Sequence, residues 1–329
     1  MNSSLELKTS VTELLGIEFP VVGGCMQYIT GPEFAAEVCN AGALGIMSSA
    51  MFGTQDEFRA AVRKLKSLTD RPFAVNLNLF PALRPIDNEL YAEVIIDEAV
   101  PIVETSGYLP PATIVGPLKR AGIKLMHKCT NVRHALSAQR EGADVLTLFG
   151  SEGGGHIADL GFTTMTMIPR AVDALDVPVI AAGGIADGRG LLAALALGAG
   201  AVMIGSRLLV SREAGVHDNL KQALLRATEF DTVPILGSVH NTLRAWKNGA
   251  ALAAEELEAR GADFATEILP VVAGTNTRAM MDGGDIDAGV VACGLGIGII
   301  DEVKPVAEIV DDMVRQASEV LSGLIRDTD

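Results

Sequence analysis

The chain has 329 residues, of which 49% are hydrophobic and only 4% aromatic, and 35 of them are glycine. This composition is typical of a globular protein with many parallel strands and tight turns, and it excludes a disordered chain. The formal charge of −15 disfavours a nucleic acid or an anionic membrane as the partner. We expect a small-molecule substrate instead.

None of the four cysteines has CxxC spacing or a nearby histidine cluster. We therefore expect neither disulfides nor a metal site, and a cytoplasmic protein. The apolar stretch from Leu191 to Val210 is long enough to suggest a membrane span, but three glycines and Arg207 interrupt it. This break predicts a helix followed by a strand and no membrane insertion. A homodimer stays open as an alternative to a monomer.

Short apolar runs alternate with amphipathic stretches up to residue 204, which is the signal for repeated βα units. The predicted strands are Val21–Gly24, Leu44–Ser48, Phe73–Leu77, Ile102–Thr105, Lys124–His127, Val145–Phe149, Val179–Ala182 and Ala201–Ile204. The predicted helices are Glu33–Asn40, Gln55–Leu68, Ala112–Ala121, Val132–Glu141, Thr166–Ala174 and Gly190–Leu197. Eight such units predict an α/β fold of the (β/α)₈ (TIM) barrel type. A doubly wound open sheet is the alternative.

The pattern changes after residue 208. Residues 1–211 are predicted to form the barrel, and residues 212–265 are charged and helical, which predicts a small helical lobe. Residues 266–329 are predicted to return to the barrel and to end in a helix, Pro305–Ile325, that packs on it. The proline-rich segment Leu79–Asp87 follows the third strand and is predicted to be a lid over the barrel mouth.

Glycine clusters directly follow three of the apolar runs. A buried strand that ends in glycines brings backbone N–H groups close to a phosphate. The segments Ala182–Gly190 and Gly198–Arg207 contain two such turns on consecutive strands, which predicts the paired phosphate loops after barrel strands seven and eight. A third cluster, Gly150–His156, places His156 on the same face of the barrel.

Six motifs occur in order along the chain: GGCMQY (23–28), NLNL (76–79), ETSG (104–107), HKCTNVRH (127–134), EGGGH (152–156) and AGGIADGRG (182–190). Together they resemble the 2-nitropropane dioxygenase-like, or nitronate monooxygenase, flavoproteins. That family includes nitronate monooxygenases, NADH:quinone reductases and FMN-dependent enoyl thioester reductases. The resemblance implies an FMN-dependent oxidoreductase, with NADH or NADPH as a candidate co-substrate.

The residues implied to bind FMN all lie at or just after the ends of predicted strands, and they are Gly24, Met26, Gln27, Asn76, Lys128, Gly183, Gly184, Gly205 and Ser206. Those after the last two strands would offer N–H groups and a hydroxyl to the phosphate. Asn76 would hydrogen-bond the flavin edge, and Lys128 would stabilise negative charge on the reduced flavin. The alternatives are turn formation for the glycines, core packing for Met26 and surface solvation for Lys128.

His156 is the predicted catalytic residue. In the nitronate oxidisers of the family the matching histidine is the base, and in an enoyl reductase this position would bind the thioester carbonyl or supply a proton. An imidazole near its ordinary pKa can do either. Glu152 is a candidate to orient His156. The other four histidines are expected to be structural or exposed.

Three functions follow from these observations. The favoured one is NAD(P)H-dependent reduction of a quinone or an enoyl thioester. The first alternative is oxidation of alkyl nitronates by oxygen. The second, from another class, is a phosphate-binding isomerase or aldolase barrel without flavin. The segment Gly294–Gly298 partly resembles a dinucleotide fingerprint, but it follows no βα unit, so we discount it.

Overall fold

A computed structural model of the chain describes residues 7–80, 87–158 and 161–326. Its barrel strands are β1 (Val21–Gly23), β2 (Gly45–Ser48), β3 (Phe73–Asn78), β4 (Ile102–Ser106), β5 (Lys124–Cys129), β6 (Val145–Phe149), β8 (Val179–Ala182) and β9 (Ala201–Ile204), with a two-residue strand outside the barrel, β7 (Gly155–His156), before β8. The barrel strands are parallel and hydrogen-bonded in the order β1-β9-β8-β6-β5-β4-β3-β2. A bridge between Val22 and Leu44 brings β1 next to β2 and closes the barrel.

The barrel strands are buried on both faces. They are rich in valine, isoleucine and leucine, as parallel strands covered by helices require. Side chains such as Val22, Leu44, Ile180 and Met203 fill the barrel interior, while the alternate residues pack against the surrounding helices.

Helices lie on the outside of the barrel, one before β1 and the others after strands. They are α1 (Ser10–Leu15), α2 (Pro32–Asn40), α3 (Gln55–Leu68), α4 (Asn88–Asp97), α5 (Ala112–Arg120), α6 (Val132–Arg140), α7 (Thr164–Val172), α8 (Gly188–Ala196) and α9 (Ser206–Leu209). Side-chain caps begin several of them: Thr54 accepts a hydrogen bond from the Glu57 N–H, and Asp187 accepts from two N–H groups of α8. Such caps satisfy the free N–H groups of a first helical turn.

The predicted fold class is confirmed, and the open-sheet alternative is wrong. The last three predicted strands have the predicted bounds, and the other five differ by at most two residues at one end. The stretch from Leu191 to Val210 divides into parts of α8 and β9, as predicted. Within the described part of the chain, no helix combines the length and the apolar character needed to cross a membrane.

The lobe after the barrel differs from its predicted, all-helical form. Residues 212–265 contain α10 (Asp218–Leu224) and α11 (Gly249–Ala259), but also a hairpin of β10 (Thr232–Ile235) and β11 (Leu243–Trp246). Both strands have four residues, too few for a period-two pattern to stand out beside the charged helix that follows. β11 also pairs with β7, so this hairpin is joined to the segment that carries His156.

The C-terminal part contains a π-helix (Phe264–Ile268), α12 (Leu269–Val272), α13 (Gly274–Gly283), a 3₁₀ helix (Leu295–Ile299) and α14 (Val306–Arg326). α14 packs against α8, where the Gln316 side chain accepts a hydrogen bond from the Gly188 N–H at 2.7 Å. A Cβ at Gly188 would lie 2.3 Å from the Met313 carbonyl oxygen, so glycine is required for this close packing. The predicted domain boundaries stay a prediction.

Candidate active site

One large cavity opens where the barrel strands end. Its volume is about 2350 Å³, which exceeds the roughly 300–1,000 Å³ of a pocket for one small ligand. The cavity therefore has room for a cofactor and a substrate together. It is lined by every residue that the sequence analysis singled out for FMN binding or catalysis. The structure brings these residues together, and their roles stay predictions.

Glycine turns form one part of the cavity wall. Gly183 and Gly184 follow β8 with φ angles of 102° and 74°, which side chains rarely adopt. A Cβ at Gly183 would also lie 2.9 Å from the Gly150 carbonyl oxygen. Gly205, after β9, is different: its φ is −120°, and a Cβ there would meet no atom within 4 Å. Neither backbone nor packing requires glycine at Gly205, so its missing side chain leaves space for a ligand.

Ser206 stands beside this open space. Its hydroxyl oxygen accepts a hydrogen bond from the Gly294 N–H at 2.9 Å, and the Cys293 sulfur lies 3.9 Å away. The hydroxyl proton stays available to a ligand. Gly294 precedes a 3₁₀ helix and follows no strand of the barrel.

A polar network lies under the cavity and joins β3, β4 and β5. The Asn76 amide donates to Glu104 Oε2 at 2.6 Å and to Ser106 Oγ at 3.2 Å, and the Lys128 Nζ lies 3.8 Å from the same Glu104 oxygen. Both N–H bonds of the Asn76 amide are therefore used, so only its oxygen is left for a ligand. Lys128 is 22% exposed, whereas Glu104 is fully buried.

The segment after β1 forms another part of the wall. The Gly24 N–H donates to the Ile204 carbonyl at 2.9 Å, which fixes the backbone beside β9. Met26 packs against the core and also lines the cavity, and the exposed Gln27 follows it. For Met26 the functional and the packing interpretations are thus compatible.

His156 lies in β7 with its side chain exposed to the cavity. Leu243 of β11 is its partner in the small sheet, and its ring packs against Phe80 with the ring centroids 5.1 Å apart. Protein atoms around the ring displace part of its water and lower the pKa of His156, and the positive charge of Lys128 lowers it further. The imidazole is consequently neutral at pH 7 and able to accept a proton.

Glu152 does not orient His156. Both of its carboxylate oxygens accept hydrogen bonds from the Thr164 N–H, at 2.9 and 3.0 Å, at the start of α7. The glycine-rich turn directs this carboxylate towards the free N–H groups of the helix, which stabilise a negative charge. The candidate role of Glu152 is therefore wrong.

His127 lies on β5 and is 2% exposed, with its Nδ1 2.8 Å from the Thr105 hydroxyl. Burial lowers the pKa of His127 to about 4, and the charges of Lys128 and His134 lower it further. Of the other histidines, His134 and His240 are exposed and His217 is half-buried.

The neutral form of His127 is therefore favoured by folding. The contribution of neutral His127 to the free energy of unfolding is fully present above the ordinary pKa of about 6.5. It is lost as the pH falls towards 4. A shift of this size corresponds to about 3 kcal/mol. We expect the acid-induced loss in the free energy of unfolding between pH 6.5 and 4 to be smaller by about that amount in His127→Gln. Urea unfolding at several pH values measures the difference, and parallel curves for both proteins would contradict the assignment.

Sequence reasoning missed several residues in the cavity wall and beneath it. Glu104 is a charged residue inside a buried apolar strand, and that mismatch was a usable signal. Tyr28 lines the cavity with a φ of 67°, a strained conformation that is common at functional sites but invisible in sequence. Phe80 reaches His156 from the start of the predicted lid, of which residues 81–86 lie outside the described residues, so the lid itself stays a prediction.

Comparison with known proteins places the chain in a family. The family model "Nitronate monooxygenase" matches residues 8–316. A Rhodococcus jostii protein named (3aS,4S,5R,7aS)-5-hydroxy-7a-methyl-1-oxo-octahydro-1H-indene-4-carboxyl-CoA dehydrogenase is 32% identical, with 97% of this chain and 98% of that protein covered. A Staphylococcus saprophyticus protein named "Probable nitronate monooxygenase" is 33% identical, with 70% and 76% covered.

Solved structures give the same result. FabK from Thermotoga maritima has a TM-score of 0.88 and 34% identity, with 96% of this chain and 98% of that chain covered. Nitroalkane oxidase from Streptomyces ansochromogenes has a TM-score of 0.84 at 24% identity, with 96% and 100% covered, and shows the shared fold. The resemblance seen in the six motifs is confirmed, and the chain belongs to the nitronate monooxygenase family of oxidoreductases.

Proposed function

We propose that the protein is an FMN-dependent oxidoreductase that acts on an acyl thioester with a bulky apolar acyl group, with NADH or NADPH as the electron donor for reduction. The observation that carries this proposal is an apolar wall of the cavity, to which the lobe and α12 both contribute. It is formed by Ile235, Leu236, Leu243, Phe264, Leu269 and Val272. An alkyl nitronate is small and ionic and needs no such wall.

The residues present fit FMN. The open space at Gly205 and the Ser206 hydroxyl would hold the phosphate together with Gly183 and Gly184. Lys128 is the one lysine or arginine among the described residues that line the cavity, and it would face the flavin. When bound, FMN supplies two-electron redox chemistry that no side chain of this protein provides.

His156 would act on the substrate. Reduction of an enoyl thioester consumes one NAD(P)H and one proton and yields the saturated thioester and NAD(P)⁺. The neutral imidazole of His156 would donate a hydrogen bond to the thioester carbonyl oxygen, or pass a proton from solvent to the carbon next to the carbonyl, and in the reverse direction it would accept that proton. Phe80 beside the ring would help to exclude water from this position.

The names of two relatives support a thioester. The Rhodococcus jostii relative, matched over nearly its whole length, is named for a carboxyl-CoA substrate with two fused rings. A Mycobacterium tuberculosis relative of the same name is 32% identical, with 95% of this chain and 97% of that protein covered. A fused-ring acyl group is a bulky apolar ligand that could pack against the apolar wall of the cavity.

Nitronate oxidation is the second candidate. The lowered pKa of His156 favours it, because a neutral imidazole would accept the α-proton of a nitroalkane at neutral pH and so generate the nitronate that is oxidised. In this reaction oxygen is the second substrate and no nicotinamide is needed.

The test begins with the purified protein. We expect flavin absorbance that is released on denaturation as FMN, and a protein that neither carries nor gains flavin would leave only the isomerase or aldolase alternative. With flavin present, anaerobic reduction is measured with NADH, NADPH and a nitronate in turn. Reduction by a nicotinamide and reoxidation by an enoyl-CoA supports the proposal. Reduction by the nitronate alone, with no effect of enoyl-CoA, would replace it with nitronate oxidation.

A further inference from the structure

Glu104 is a charged residue in a place that water does not reach. It lies on β4 between Asn76 of β3 and Met126 of β5, and it is fully buried. One carboxylate oxygen meets Asn76 and Lys128, while the other, Oε1, has no hydrogen-bond partner among the described residues. Burying a carboxylate costs several kcal/mol unless the charge is well paired. An apolar residue would fill this strand position at lower cost.

The charge of Glu104 is directed at Lys128. Lys128 extends from its neighbour β5 into the cavity, and the distance of 3.8 Å between Nζ and Oε2 is an ion pair without a short hydrogen bond. Such a pair holds the lysine in place and offsets part of its positive charge. The charges of Glu104 and Lys128 also act on the Cys25 thiol. Burial raises the pKa of this thiol, Glu104 raises it further, and Lys128 lowers it.

We propose that Glu104 is a positioning residue that holds Lys128 at the cavity floor and limits how strongly its charge favours the reduced, negatively charged flavin. This rests on the FMN binding of the proposed function. The barrel thus carries a fixed pair of opposite charges under the cavity, of which only the lysine is in contact with it. Asn76 holds the Glu104 carboxylate in place through the hydrogen bond from its amide.

The flavin test uses Glu104→Gln, whose amide oxygen still accepts from Asn76. We expect FMN to stay bound and the affinity ratio of reduced over oxidised flavin to rise about tenfold, or roughly 30 mV in a two-electron midpoint potential. Lys128→Met is expected to move the ratio in the opposite direction. If Glu104 acts through Lys128, the change in the affinity ratio caused by Glu104→Gln should be at least threefold smaller when Lys128→Met is also present. A ratio within twofold of wild type, or the same Glu104→Gln shift in both backgrounds, would overturn the proposal.

A second measurement needs no flavin. Cys25 is half-buried, while Cys39, Cys129 and Cys293 are buried, so a small alkylating reagent reports on Cys25. Alkylation at fixed pH is expected to be faster in Glu104→Gln and slower in Lys128→Met. Equal alkylation rates in the wild type, Glu104→Gln and Lys128→Met would mean that the pair carries no charge and would contradict the inference. Lys128→Met changes a partly exposed side chain, so it keeps the test available if Glu104→Gln does not fold.

The two proposals fail separately. A protein that binds no FMN contradicts the proposed function, while the alkylation rates still test the charge pair. A protein that binds FMN with an unchanged affinity ratio contradicts only the role of Glu104.

Discussion

Replacement of His156 by alanine is expected to lower turnover per bound FMN by about 10²–10⁴-fold, the usual value of a positioned acid or base. The side chain is exposed to the cavity, and its backbone is held by the β7–β11 pairing, which alanine retains. FMN content and thermal stability should therefore stay near those of wild type. Measurement of both half-reactions shows which substrate His156 serves: a slower oxidative half indicates a reductase, and a slower reduction by nitronate indicates the monooxygenase.

His217 offers a matched control. Its Nδ1 accepts a hydrogen bond from the Asn219 N–H at the start of α10, and it does not line the cavity. His217→Ala should lower stability by about 1 kcal/mol, as the loss of a helix cap does, and leave turnover per FMN unchanged. Rates for His156→Ala within about threefold of wild type, far below the effect of a catalytic acid or base, would end the catalytic assignment.

The pH dependence follows from the environment of His156. Because its pKa is lowered by burial and by Lys128, the neutral imidazole persists below the ordinary value of about 6.5. If His156 acts as a base, the acidic limb of the kcat/KM profile should have its midpoint below about pH 6.5. Lys128→Met removes the repulsion and should move this acidic limb to higher pH. An acidic limb whose midpoint lies above about pH 6.5 in the wild type would contradict the assignment.

The barrel could be predicted from sequence because each strand is a separate apolar run between amphipathic helices. Val179–Ala182 and Ala201–Ile204 are found with the predicted bounds because glycines end both of them abruptly. The hairpin of β10 and β11 could not be predicted, because its short strands depend on pairing with each other and with β7. Tertiary pairing of this kind leaves little trace in four residues.

Some features of the candidate site could be predicted from sequence and others could not. Residues that end strands, such as Lys128 and Gly205, could be placed on one face from chain order alone. The pairing of Lys128 with Glu104 could not, because it depends on the register between β4 and β5. Glu152 was a candidate to orient His156 because only three glycines separate the two residues in sequence. The turn directs its carboxylate to Thr164 instead.

Gly205→Ala is expected to weaken FMN binding about 10–100-fold without unfolding the protein. The backbone φ of −120° accepts alanine, and the new Cβ would meet no protein atom within 4 Å. It would instead occupy the space proposed for the phosphate and remove one charge-assisted hydrogen bond, which contributes about 1.5–3 kcal/mol. Titration of the flavin-free protein with FMN measures the loss.

Two other glycines separate this effect from general instability. Gly215→Ala also introduces a Cβ into open space, but outside the cavity, so it should change neither FMN affinity nor stability. Gly183→Ala combines a φ of 102° with a contact of 2.9 Å to the Gly150 carbonyl, so it should lower stability even without FMN. The phosphate assignment therefore predicts three different results. Gly205→Ala should lower the affinity for FMN and leave stability unchanged, and Gly183→Ala should lower both. Gly215→Ala should change neither. Unchanged FMN affinity in Gly205→Ala would remove the open space after β9 from the binding site.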